Sequence, residues 1–170
     1  MKYFYFSWLL VVTQALFAQG SFPSTSSFQV TGEVEKSVTF GYADLNKLKI
    51  HDIGTITITN HLGEKKSDVN VLRGVLLKDV LQDVKISSPG PKQLSEYFFT
   101  CKSVDGYTVV YSWNELFNNP AGEKIFLVTE KEGKQIEALP ESILMVSPAD
   151  YKTGRRYLKS LQSISVGKAH

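Results

Sequence analysis

The residues Phe98–Ser112, FFTCKSVDGYTVVYS, decide how the chain is read. Two apolar runs, Tyr97–Lys102 and Tyr107–Tyr111, flank Val104-Asp105-Gly106. An Asp-Gly pair between strand-forming runs is a hairpin signal, because both residues tolerate the backbone that a tight turn needs. Alternation puts Cys101 on the same face as Phe99. Cys101 is the single cysteine of the chain, so no internal disulfide can form. In an apolar strand a cysteine behaves as a small hydrophobe, and burial keeps its thiol protonated. An inert core residue is therefore expected in preference to a nucleophile or a metal ligand. The hairpin runs on into Ser112-Trp-Asn-Glu115, a capping box in which the Ser hydroxyl takes a helix amide and Glu115 reaches back. A short helix through Phe117 is predicted, stopping near Asn118-Asn119-Pro120.

Outward from this hairpin the pattern stays strand-rich. Toward the N-terminus, Phe28–Val34 and Ser37–Phe40 alternate as strands about a Glu35-Lys36 turn. Gly41–Leu48 places Leu45 and Leu48 on one face of a short helix. Gly54–Asn60 is the clearest strand, with Ile56 and Ile58 facing one way and Thr55, Thr57 and Thr59 the other. His61–Lys66 turns the chain and Ser67–Leu72 returns as a partner. Leu76–Val84 is amphipathic at helical spacing, with Leu77, Val80, Leu81 and Val84 sharing a face. Ser87–Gln93 reads as an exposed loop without regular structure. Toward the C-terminus, Ile125–Thr129 is a strand, Glu132-Gly133 a turn, and Ile143–Val146 a short buried strand. Leu161–Val166 alternates again and is expected to close the sheet. The hairpins imply antiparallel pairing, and the sum is one strand-rich α+β domain.

The first twenty residues, MKYFYFSWLLVVTQALFAQG, have a positive Lys2, an apolar run from Tyr3 to Phe17 and small residues at Ala18 and Gly20. That is the layout of a signal peptide cleaved after Ala18 or Gly20, and an exported, periplasmic or extracellular location follows. The run is too short and interrupted for a stable membrane span, and no cysteine follows it to carry a lipid. Residues 21–27 are expected to form a flexible leader and residues 28–170 the single domain. The remaining composition is that of a globular domain, 42% hydrophobic and 21% charged. A formal net charge of +2 gives no reason to expect nucleic acid as a partner.

Little chemistry is written in short motifs. The three histidines, His51, His61 and His170, share no metal-ligand spacing, and no metal or hydrolase signature occurs. The strongest polar feature is the basic turn Lys152-Thr-Gly-Arg-Arg156, followed by Lys159. An arginine fork matches two phosphate oxygens at once, and a Gly in such a turn lets backbone N–H groups approach an anion. On residue types alone the same residues read first as a solvated turn whose arginines pair with Asp150 or Glu141.

In order and spacing, four segments resemble the molybdopterin-binding domain of the sulfite oxidase-like oxidoreductases, in its small exported form. They are VTGEVEKSVTFGYADLNKL, LRGVLLKDVL (Leu72–Leu81), SVDGYTVVYSWNEL and TGRRYLKSLQSISV. The resemblance covers Phe28–Val166 and implies a strand-rich sulfite oxidase-like α+β fold with short helices. It also implies molybdopterin as cofactor and a cysteine thiolate on molybdenum at the end of the strand that precedes the Gly-Val-x-Leu helix. Here that region is Thr59-Asn60-His61-Leu62-Gly63, without a cysteine. The expectation that follows is a non-catalytic domain binding a small anionic or pterin-like ligand, or a partner protein. Its site residues would be Asn60, His61, Arg73, Arg155, Arg156 and Lys159. The alternative is a molybdopterin-dependent oxidoreductase with an atypical metal site that lacks the cysteine.

Overall fold

A computed structural model describes residues 23–169. The expected signal peptide lies outside the described residues. The first hairpin is β1 (Ser27–Gly32) and β2 (Val38–Gly41), followed by the one-turn helix α1 (Tyr42–Leu45). A second hairpin is built from β3 (His51–Thr59) and β4 (Lys65–Leu76), which runs straight into helix α2 (Leu77–Leu81). The third is β5 (Tyr97–Ser103) with β6 (Thr108–Ser112), leading to helix α3 (Trp113–Phe117). After these come β7 (Phe126–Lys131), β8 (Lys134–Gln135), β9 (Met145–Val146) and β10 (Leu161–Lys168). Among the described residues these strands make two sheets. One has the order β2-β1-β10-β5-β6; the other runs β3-β4-β7-β8, with β9 also on β7.

The hairpin at Asp105-Gly106 forms as its sequence predicts. Phe99 pairs with Tyr111 and Cys101 with Val109, and Gly106 takes a φ of 87° that few other residues accept. Asp105 accepts the Tyr107 amide at 2.9 Å and also the Ser103 hydroxyl, which fixes the turn. In this sheet buried and exposed positions alternate along β1, β5 and β6, the mark of a sheet with one face in the core.

Several details differ from the sequence reading. β10 lies in the middle of its sheet and not at an edge: it is antiparallel to β5 and parallel to β1, with Gln29 opposite Ser163 and Gly32 opposite Val166. The antiparallel rule derives from tight turns, and no tight turn joins β1 to β10. β4 continues beyond Leu72 to Leu76, which still pairs with Phe126. Its last residues, Gly74–Leu76, are buried on both faces, so they read as a run without alternation. Pro91–Glu96 forms a 3-10 helix in the stretch read partly as loop, started by a proline whose fixed φ suits the first position. Thr25, in the expected leader, is tied down: its hydroxyl accepts the Ile143 amide at 2.9 Å and its carbonyl accepts the Tyr42 hydroxyl at 2.6 Å.

The core has two parts. The larger joins Phe28, Phe99, Cys101, Tyr111 and Ile164 of the first sheet to Leu77, Val80 and Leu81 of α2 and to Val75 and Leu127 from one face of the second sheet. The smaller lies on that sheet's other face, where Ile56, Ile58, Leu72, Phe126 and Val128 meet Leu139 and Leu144, with Tyr157 packed against them. The second sheet is thus the middle layer, and its β3 edge carries the site.

Candidate functional site

The site begins where β3 ends. Asn60 knots the turn into β4: its side-chain oxygen accepts the Leu62 and Glu64 amides at 2.9 and 3.0 Å, and its amide nitrogen donates to Glu64 at 2.7 Å. A distant segment docks against the same strand end. The Thr153 hydroxyl donates to the Thr57 carbonyl at 2.6 Å and accepts the Thr59 amide at 3.1 Å. Thr153 thereby serves part of the β3 edge as a neighbouring strand would. Gly154 follows because a Cβ there would overlap the Thr59 carbonyl oxygen. Two more bonds fasten the docked segment. Lys152 donates to the His61 carbonyl and the Tyr107 hydroxyl donates to the Arg155 carbonyl, each at 2.7 Å.

These contacts enclose a cleft of about 390 Å³. Ile58, Thr59, Asn60, His61 and Lys66 line it from the β3–β4 hairpin, Tyr107 from the β5–β6 turn, and Gly154, Arg155 and Tyr157 from the docked segment. A second cavity of about 470 Å³ adjoins it and shares Ile58, Lys66 and Tyr157. Lys159 lines that second cavity with its ammonium 5.8 Å from the centre of the Tyr157 ring, and the partly buried Lys131–Glu141 ion pair lines it too. Burial, with the Glu141 charge adding to it, pushes the Tyr157 phenol up to about 12.

Asn60, His61 and Arg155 therefore share one cleft, and Lys159 stands in its neighbour. The other two expected residues lie elsewhere. Arg156 donates to both Asp150 oxygens and to Glu115, with its guanidinium 4.6 Å over the Tyr111 ring. These bonds tie its guanidinium into the fold, in line with the pairing with Asp150 read from the sequence. Hydrogen bonding to Asp150 is the leading cause that holds this guanidinium above its usual pKa. The same contact explains why the capping box is half made. Ser112 accepts the Glu115 amide at 3.0 Å, but the Glu115 carboxylate turns to Arg156. Arg73 pairs with Glu130 at 3.1 Å on the exposed β4–β7 surface and lines neither cavity.

Lys66, Tyr107 and Tyr157 also line the cleft, and residue type and resemblance alone do not mark them as site residues. The signal for Lys66 was its place directly after the turn: any site at the end of β3 gains the first residues of its hairpin partner. Tyr107 and Tyr157 gave no comparable signal, since only the docking of Thr153–Arg156 on β3 brings them together.

Molybdopterin is the group that the sequence resemblance implies, and the donor set tests it. The cleft offers amide, imidazole, ammonium, guanidinium and phenol groups, with no thiol and no carboxylate. Cys101 is fully buried in the first sheet, and burial pushes its thiol up to about 12. Among the described residues no group of three or more His, Cys, Asp or Glu could hold a metal ion. These residues do not fit a molybdenum centre that depends on a protein thiolate, which is the soft ligand such a metal selects. They fit an anion.

No family model matches the chain, and no curated protein matches it. Among solved structures it is similar to the sulfane dehydrogenase SoxCD from Paracoccus pantotrophus, with 12% identity and a TM-score of 0.64, over 86% of this chain and 40% of that one. The chain thus spans well under half the length of that protein. At this identity the likeness is one of fold alone, and the fold is the strand-rich, molybdopterin-domain-like α+β arrangement expected from the sequence.

Proposed function

We propose that the chain is an exported, non-catalytic domain with a molybdopterin-oxidoreductase-like fold, and that it binds a small anionic ligand in the cleft at the end of β3. One observation carries the reading. Lys66 and Arg155 line a single cleft, and neither has a carboxylate partner among the described residues. The other two arginines are both ion-paired. An arginine fork recognises phosphate or carboxylate through two parallel N–H donors, and an ammonium beside it adds a point charge. His61 adds an imidazole N–H as a third donor.

Calorimetric titration with inorganic phosphate tests the reading. The expected result is saturable binding that weakens with added salt and is lost in Arg155→Ala and Lys66→Ala. Absence of binding in the wild-type protein, or binding indifferent to both changes, overturns it. Export is tested separately by sequencing the N-terminus of the mature protein, which is expected to begin after Ala18 or Gly20.

A second reading has one observation in its favour, the fold shared with a sulfane dehydrogenase. It makes the chain a molybdopterin-dependent oxidoreductase without a protein thiolate on the metal. Metal analysis separates the two readings: stoichiometric molybdenum in the purified protein would sink the non-catalytic one.

A further inference from the structure

Three loop tips meet at the mouth of the cleft: the turn after Asn60, the segment from Pro148 to Arg155, and the hairpin tip at Tyr107. The Lys152–His61 and Tyr107–Arg155 hydrogen bonds hold them in fixed relation. This fastened rim keeps two large side chains in water. Tyr151 is fully exposed (102%) and Leu62 is 65% exposed. Tyr151 lines a shallow depression that shares Arg155 with the cleft. Leu62 follows His61 of the cleft wall directly. Nothing inside the fold requires either side chain to be apolar.

Exposed aromatic and aliphatic groups beside an unneutralised arginine are the composition of a protein-recognition surface. The shape favours a protein over a lipid surface. A flat headgroup plane reaches the loop tips, but Lys66 and Arg155 stand on the wall of a concavity. A carboxylate on a protruding side chain reaches them there. The charge of the wall selects an acidic occupant, since it carries two cations and no carboxylate.

We infer that the anion taken by this cleft is a carboxylate from an acidic segment of a partner protein, whose neighbouring apolar side chain packs on Leu62 and Tyr151. The inference rests on the anion-binding reading of the cleft and adds the identity of the carrier.

The probes are inorganic phosphate, a short glutamate-rich peptide with one central phenylalanine, and the same peptide with glycine in its place. The expected result is about tenfold tighter binding of the phenylalanine peptide, equivalent to about 1.4 kcal/mol. The Leu62→Ser/Tyr151→Ser double variant is expected to erase that difference and to bind phosphate as the wild type does. Equal affinity for the two peptides, or a preference that survives in the double variant, overturns the inference. So does co-sedimentation with phosphatidylserine vesicles in place of peptide binding. If phosphate binds through Arg155 in those cases, the anion-binding reading stands while the carrier is wrong. If phosphate fails to bind as well, both fall.

Discussion

At the scale of single residues, Arg155 and Arg156 adjoin in the chain and do opposite work. Arg156 holds Asp150 and Glu115 inside the fold with its side chain 21% exposed, so Arg156→Ala leaves two carboxylates without their cation. A loss on the order of 2–3 kcal/mol is expected in urea unfolding, less than for a fully buried pair because the site is partly wet. Arg155→Ala removes an exposed side chain without an ion pair, and stability is expected to change by no more than about 0.5 kcal/mol. Sequence alone shows two basic residues in a turn; which of them faces the cleft is decided by the carboxylates brought up from α3 and from Asp150. Cys101 was legible, because alternation within its hairpin already put it inward. Burial lifts its thiol from 9.0 to about 12, and Tyr157 rises from 10.0 to about 12. Both groups therefore keep their protons in the folded state over a range where the unfolded chain releases them. Their contribution is whole below about pH 9 and is lost as pH climbs toward about 12, so a lower urea midpoint is expected at pH 11 than at pH 8. A thiol-specific reagent at pH 8 should leave the native protein unlabelled and label it in urea.

At the scale of elements, the site depends on how the segment Lys152–Arg156 seals the edge of β3. Thr153→Val keeps the shape but strips a donor from the Thr57 carbonyl and an acceptor from the Thr59 amide. A cost of about 1–3 kcal/mol is expected, with faster hydrogen exchange at the Thr59 amide. Gly154→Ala is expected to push the segment off the strand and abolish phosphate binding while the β5–β6 hairpin keeps its exchange protection. The hairpins themselves were legible, since Asp105-Gly106 and Glu132-Gly133 are local signals and the turns form where they stand. The docking of Thr153 on β3 was not. It joins residues far apart in the chain, and neither segment carries a periodicity that names the other. For the same reason Asn60, His61 and Arg155 emerged as candidates through family resemblance and residue type, while Tyr107 and Tyr157 did not emerge as site residues.

At the scale of the whole molecule, the two sheets divide the labour. The first, with one face in the core, supplies the larger hydrophobic cluster and the Tyr107 turn. The second is the middle layer and supplies the cleft. Removing Leu161–Lys168 takes out the strand that joins the β1–β2 hairpin to the β5–β6 hairpin, and the expected outcome is a chain without cooperative unfolding. The position of β10 was the main feature of topology that alternation could not give, because a pattern of buried and exposed residues fixes a strand's face and says nothing about its neighbours. That position also has a consequence in time. Until Leu161–Lys168 has been synthesised, the two hairpins of the first sheet lack the template between them, and each has an unpaired inner edge. Assembly of that sheet must wait until this late segment leaves the ribosome.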